Sequence, residues 1–374
     1  MQFLFWFCIG GFFFAYFGYP FTLVFLRILR RREVVRDYTI IPVTLIITAF
    51  NEERRIREKL DNSLALDYPR KQLQILVASD GSTDETNAIV RSYADRGVEL
   101  LEVVHRGGKE NAQKEAVQYA RGEVVVFSDV ATMLEPRGLL EIVANFADPS
   151  VGCVSSEDRL LGQDGKPSGE GFYVRYEMWL RRLESEVYSL VGLSGSFFAA
   201  RREVCRDFSG EVQSDFRTLL SSMKLGLRGV CDTKAVGSYL NIADEKQEFS
   251  RKVRTVLRGL TVFFKHTEFL NFFRYGMFAY MYFCHKLLRW LVPFFLLGAL
   301  LSNVVLAPHS LFFVVLLLGQ LGFYGLGIYG WYCQPLKGVM KVPMYFLIVN
   351  AAIALAWWQY LTGKRVVLWT PSQR

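Results

Sequence analysis

Val43-Thr44-Leu45-Ile46-Ile47-Thr48-Ala49-Phe50-Asn51-Glu52-Glu53 decides how this chain is read. Ile41–Thr48 is a short apolar run without alternation, the pattern of a strand buried on both faces. Asn51-Glu52-Glu53 then opens a helical stretch to about Leu66, and Asp67-Tyr68-Pro69 breaks it. The same unit recurs downstream. Leu73–Ala78 reads as a strand ending at Ser79-Asp80-Gly81-Ser82, and Asp84–Arg96 as a helix. Val98–Val104 is a strand, Lys109–Ala120 a helix, and Glu123–Phe127 a strand ending at Ser128-Asp129. Repeated βα units with short connections predict an α/β domain, Rossmann-like, with a mostly parallel sheet covered on both faces. Ligands of such sheets bind outside the carboxyl ends of the strands. Asn51, Glu52, Asp80, Asp84 and Asp129 all fall there.

Beyond residue 150 the pattern changes. Tyr173–Val191 is a long amphipathic helix, and Gly192–Arg202 a small-residue turn followed by an apolar run and a basic pair. Val212–Leu225 looks helical, starting at Ser214-Asp215, and Arg251–Lys265 is a basic helix.

Composition adds a second half to the molecule. Of 374 residues, 51% are hydrophobic and 15% aromatic, and only 21% are charged. Phe3–Leu26, Trp290–Leu336 and Val342–Gly363 contain no Asp, Glu, Lys or Arg. A membrane span needs about 20 apolar residues, so a wholly soluble protein is excluded. The charged stretch 32–265 equally excludes a pure membrane bundle. Arg27, Arg30, Arg31 and Arg32 follow the first span, which predicts a cytoplasmic domain after it and an outside N-terminus. The start lacks the basic region and small-residue cleavage site of a signal peptide, so an uncleaved anchor is expected. The second stretch holds two spans turning at Pro308-His309-Ser310, and a third runs from about Met344 to Leu361. Phe269–Trp290, with Arg274, His285, Lys286 and Arg289, reads as an interfacial helix feeding into them. The expected order is therefore an anchor at 1–31, a cytoplasmic domain at 32–265, an interface region at 266–290, and spans with a short tail at 291–374. Three later spans put the C-terminus outside, whereas Lys364, Arg365 and Arg374 favour inside.

The net charge is +8. Basic residues cluster at 27–36 and 251–289, beside the apolar spans, which points to anionic membrane lipids and away from nucleic acid. The six cysteines are scattered without a Cys-x-x-Cys pair and read as packing residues.

Among the polar strand ends, Asp80 is a carboxylate at the end of a buried strand, where it needs a partner. It could accept hydrogen bonds from a base or ribose. Asp84 can do the same or simply cap its helix. Asp129 ends a strand of the same sheet and can hold a divalent cation on a diphosphate. Arg106-Gly107-Gly108-Lys109 precedes a helix without Walker spacing; its glycines would let backbone approach a phosphate, or it is an ordinary loop. Asp215 opens a helix, either as a base or as a charge favourable to the helix dipole.

Together these segments resemble the family-2 glycosyltransferases, in layout the membrane-bound synthases of the cellulose, chitin and hyaluronan group. The resemblance runs through 43–53, Ser79-Asp80-Gly81-Ser82-Thr83-Asp84, Gly108-Lys109, Ala120–Asp129 and Gly192-Leu193-Ser194-Gly195-Ser196 with Arg201-Arg202-Glu203 behind it. It covers roughly 41–260. It implies a GT-A fold and a nucleotide-diphosphate sugar donor, a UDP-sugar favoured, bound by Thr48, Asn51, Glu52, Asp80, Asp84, Lys109, Asp129, Arg251 and Arg254. It implies that Asp129 is the first Asp of an Asp-x-Asp motif holding Mg2+ or Mn2+. The second Asp is replaced by Ala131. Ser194, Gly195 and Ser196 would lie on the acceptor side and Asp215 would be the base, in a motif where Ser214 replaces Glu. The Gln-x-x-Arg-Trp motif is matched by Arg251-Lys252-Val253-Arg254-Thr255 without Gln or Trp, in preference to Lys286-Leu287-Leu288-Arg289-Trp290 against a span.

The implied reaction is inverting transfer of a sugar to a growing polysaccharide or lipid-linked saccharide, by an integral membrane protein of a bacterial inner membrane. Partners in a polysaccharide assembly complex are compatible with it. The missing Trp weakens the case for a long homopolymer. The alternatives are a non-catalytic nucleotide-binding component of an export complex and a transporter with a regulatory domain. Few charges lie within the spans, which disfavours a transport pathway.

Overall fold

All seven residues of Val43–Ala49 are buried, as are all eight of Leu73–Asp80. Both strands are continuous apolar runs because helices cover both faces of the sheet they build. In the computed structural model, which describes residues 1–162, 172–208, 210, 213–240, 245–333 and 341–364, the chain order begins with α1 (Gln2–Leu29), β1 (Val43–Ala49), α2 (Ile56–Leu64), β2 (Leu73–Asp80), α3 (Thr86–Arg91), β3 (Val98–Val103), α4 (Lys109–Gln118), β4 (Val124–Asp129), β5 (Met133–Leu134) and α5 (Gly138–Ala144). It continues with β6 (Val151–Leu161), α6 (Phe172–Val187), β7 (Phe197–Arg201), α7 (Ser214–Lys224), β8 (Arg228–Leu240), α8 (Glu245–Lys265), α9 (Met277–His309), α10 (Leu311–Tyr332) and α11 (Lys341–Leu361).

The strands form one sheet in the order β3-β2-β1-β4-β7-β6-β8-β5. β1 pairs parallel with β2 and β4, and β2 with β3, as the βα repeats require. β7 then enters antiparallel between β4 and β6, β8 runs parallel to β6, and β5 closes the edge antiparallel to β8. The sheet is therefore Rossmann-like on one side and mixed on the other, the GT-A arrangement. β6 and β8 have no counterpart in the sequence reading. Their outer halves carry Glu157, Asp158, Arg159, Asp232 and Lys234, which hide the apolar pattern.

Leu45, Ile47, Val77, Val126, Ile142, Phe197 and Val230 belong to one buried cluster. Each fully buried side chain of this kind contributes about 1.5–3 kcal/mol. The core thus carries the stability, and polar groups at the carboxyl edge can serve chemistry.

Residues 1–25 and the helices α8 to α11 make a separate compact unit. Among the described residues, α1, α9, α10 and α11 are four helices long and apolar enough to cross a membrane. Phe5 meets Phe313 edge-on with ring centroids 5.4 Å apart, and Trp357 Nε1 donates to the Trp290 carbonyl at 2.9 Å. Phe272–Tyr275 is a short helix. Residues 277–290, read from sequence as interfacial, form the first turns of α9. In the sheet unit, Arg27 and Arg31 both pair with Glu186. Arg365 and Arg374 of the tail lie outside the described residues.

Candidate active site

The carboxyl ends of β1, β2 and β4 set the first part of the site. Thr48 is in register with Asp129 of β4 and with Ala78 of β2. Its hydroxyl is buried without a hydrogen-bond partner. Asn51 has φ +50°, a left-handed conformation that Asn tolerates better than most residues. Its Oδ1 accepts from the Thr83 amide at 2.9 Å, and its own amide donates to Ser82 Oγ at 3.2 Å. Asp84 accepts from the Thr86 amide at 3.0 Å and the Glu53 amide at 3.1 Å. Burial raises the Asp84 pKa, but the bonds from Thr86 and Glu53 outweigh it, and the net shift is downward. Asn51 and Asp84 therefore tie the loops after β1 and β2 to each other.

Glu52 is buried and accepts from Arg55 Nε at 2.8 Å. Burial pushes its carboxyl up despite Arg55, with Asp129 and Asp84 adding to the rise. Asp80 is fully buried. One of its oxygens accepts the Gly107 amide at 2.9 Å and the other the Gly108 amide at 2.8 Å. Gly108 stands at φ +92°, a conformation that glycine reaches without strain, and α4 begins at the next residue. Asp80 thus fixes the Gly107-Gly108 turn that launches Lys109.

Lys109 Nζ donates to the Gly195 carbonyl at 2.8 Å and is ion-paired with Asp129. The Asp129 amide donates to the Ser196 carbonyl at 3.0 Å. Any Cβ on Gly195 would lie 3.1 Å from Asp215 Oδ2, so glycine is what lets the turn approach that carboxylate closely. Asp215 is buried in the first turn of α7, and Gln213 Nε2 donates to its Oδ2 at 3.1 Å. Lys109, Asp129, Ser194–Ser196 and Asp215, drawn from four separate stretches of sequence, are thereby brought together. Glu211, the nearest alternative to Asp215 as base, lies outside the described residues.

Arg251 and Arg254 lie on α8, in the helical unit. Arg251 grips Glu248 with two bonds of 2.7 Å, and Lys252 joins it at 2.6 Å. Burial would raise the Glu248 carboxyl, but Arg251 and Lys252 hold it down at about 2.

Two residues of this region escaped the sequence reading. Lys59 is fully buried on α2 and donates to Ser128 Oγ at 2.7 Å and the Thr132 carbonyl at 2.5 Å, bracketing the Asp129 turn. Burial lowers its pKa to about 7. Its spacing after Ile56 and before Leu60 and Ser63, all on the buried face, was the available signal. Asp158 on β6 accepts from Ser194 and Ser196; nothing local in the sequence marks it.

Among the described residues no three His, Cys, Asp or Glu side chains are grouped to hold a metal. Asp129 is the one carboxylate at the expected position, with side chain 27% exposed. One or two carboxylates plus substrate phosphates suffice for Mg2+, so Asp129 fits a cation that the donor helps to bind.

The chain is also similar to known proteins. Residues 44–208 match Glycosyl transferase family 2. The chain is 24% identical over 183 residues to beta-monoglucosyldiacylglycerol synthase of Nostoc sp., covering 46% of this chain and 39% of that protein. It is 27% identical over 120 residues to poly-beta-1,6-N-acetyl-D-glucosamine synthase of Staphylococcus aureus, covering 32% and 29%. The chain therefore matches well under half the length of these relatives. The mannosyltransferase PcManGT from Pyrobaculum calidifontis, solved with GDP-Man and Mn2+, shares the fold over 97% of this chain and 99% of that one, with a TM-score of 0.76 and 24% identity.

Proposed function

We propose that this chain, whose residues 44–208 match Glycosyl transferase family 2, is an inverting glycosyltransferase taking a sugar from a nucleoside-diphosphate donor to a saccharide or lipid-linked acceptor at the cytoplasmic face of a membrane. One observation carries the reading: Lys109 bonds Asp129 and the Gly195 carbonyl while Gly195 abuts Asp215. That arrangement supplies a cation, a cation-binding carboxylate and a candidate base around one turn.

The chemistry follows from these groups. Asp215 takes the proton of the acceptor hydroxyl as its oxygen attacks the anomeric carbon. The bond to the diphosphate breaks on the opposite face, and a single displacement inverts the configuration. Negative charge grows on the leaving phosphate, where Lys109 is preorganised to meet it. Asp129 is the residue that would hold Mg2+ or Mn2+ against the donor phosphates, adding positive charge to the leaving group. Asp80 shapes the Gly107-Gly108 turn, and Thr48 offers a buried hydroxyl at the donor side. The four apolar helices support membrane association, and Arg27 to Arg32 support a cytoplasmic site. A saccharide or lipid-linked acceptor accords with the products named for the two relatives.

The test uses the full chain in detergent with UDP-glucose, UDP-N-acetylglucosamine or GDP-mannose, membranes as acceptor source, and added Mg2+ or excess chelator. Transfer of label from one donor, lost in chelator, is expected. Full transfer in chelator would remove the cation from the scheme. Nucleotide binding without transfer from any donor would favour a non-catalytic component.

A further inference from the structure

The Ser194–Ser196 turn is anchored by residues of β6. The Ser194 amide donates to Ser155 Oγ at 2.7 Å, and Ser194 Oγ sits 2.7 and 2.8 Å from the two carboxylate oxygens of Asp158. Ser196 Oγ donates to Asp158 Oδ1 at 2.8 Å. Arg181 braces the same assembly, donating to Ser155 Oγ at 2.5 Å and to the Gly192 carbonyl at 3.1 Å. The backbone of the turn does different work. The Gly195 carbonyl takes Lys109, the Ser196 carbonyl takes the Asp129 amide, and Gly195 faces Asp215. Side chains of the turn thus go to one carboxylate, while its backbone goes to the groups that would do the chemistry.

We propose that Asp158 is a positioning residue that fixes the Ser194–Ser196 turn and so sets the spacing between Lys109 and Asp215. It touches neither group itself. Hydrogen bonds to a carboxylate are stronger than those between neutral groups, so one residue can hold both serines. A displacement of about 1 Å at a reacting centre can cost about a hundredfold in rate. The effect should therefore be larger on transfer, which needs both Lys109 and Asp215 in place, than on nucleotide affinity. The inference rests on the transferase reading above.

The experiment compares the full chain in detergent as wild type, Asp158→Ala, Asp158→Asn, and the Ser194→Ala/Ser196→Ala pair. Turnover is read as nucleoside diphosphate released from whichever of the three donors the wild type uses. Affinity for UDP and GDP is read by calorimetry. Asp158→Ala should lower kcat by about 10- to 100-fold, as expected of lost positioning, with a much smaller loss of nucleotide affinity. Asp158→Asn, which keeps shape and one acceptor oxygen, should recover part of the loss. The serine pair should lose as much as Asp158→Ala, and combining them should add nothing, because the residues act as one unit. If Asp158→Ala does not fold, Ser196→Ala carries the same expectation at smaller size. Wild-type turnover in the alanine variant, or a loss of nucleotide affinity in step with kcat, overturns the inference while leaving the transferase reading standing. A wild type inert towards every donor sinks both.

Discussion

The loops after β1 and β2, which we propose take the donor, and the Ser194–Ser196 turn, which we propose faces the acceptor, are held in opposite ways. After β1 and β2, carboxylates and Asn51 bind backbone amides: Asp80 holds Gly107 and Gly108, Asp84 holds Thr86 and Glu53, and Asn51 holds Thr83. Around β6 and β7, a carboxylate binds side-chain hydroxyls, those of Ser194 and Ser196. The first arrangement fixes backbone loops close to their strands. The second fixes a turn through its side chains and leaves its carbonyls to Lys109 and the Asp129 amide, so the two halves are coupled through that turn.

The sharpest way to break that contrast is Asp215→Asn. Loss of a positioned base should reduce transfer by about a hundredfold or more, with UDP or GDP binding little changed. A stability check is needed, since a carboxylate in the first turn of α7 also favours the helix dipole. If the variant folds, binds and transfers normally, Asp215 is a helix-start charge only.

Asp80→Asn should do the reverse. Only one amide oxygen remains to accept two amides, and the new NH2 faces a donor. The Gly107-Gly108 turn is then no longer held at both amides, and nucleotide affinity should fall by about tenfold, or about 1.4 kcal/mol, measured by calorimetry. Unchanged affinity would place the nucleotide away from this turn.

Asp84→Ala is expected to act on stability, by about 1 kcal/mol as for other lost caps, without altering the transfer rate. Because the folded pKa of Asp84 is lowered, its contribution is present above the unfolded value of about 3.9 and lost as pH falls through the folded one. The difference in Tm between wild type and variant should therefore shrink below about pH 4. A difference that persists there would mean the loops are not held by the ionised carboxylate.

The last variant, Lys59→Met, is read by the slope of stability with pH. The folded pKa of Lys59 is lowered to about 7, so the unfolded state holds the extra proton between there and about 10.4. Stability should rise with pH across that window in wild type, and the rise should flatten in the variant. Tm values at several pH points in the window test this, and identical slopes would mean Lys59 stays charged in the fold.

The parallel half of the sheet was legible in local pattern. β1, β2 and β4 are largely apolar runs ending in polar residues, because strands buried on both faces must be mostly apolar, and ligand groups then have only their carboxyl ends to occupy. Asp129 and Asp80 stood out at strand ends for that reason, and the apolar helices stood out because each contains a long stretch without charge. Tertiary structure alone decided that β7 inserts antiparallel beside β4, that β6 and β8 exist as strands, and that Gly195 comes against Asp215. It also assigned Asp84 and Asn51 to tying loops together. Asp158 and Lys59 emerge only there, since their roles consist of contacts across many residues of chain. Local pattern records whether a side chain meets core or water; it carries no record of which distant group a half-buried carboxylate or a buried ammonium will meet.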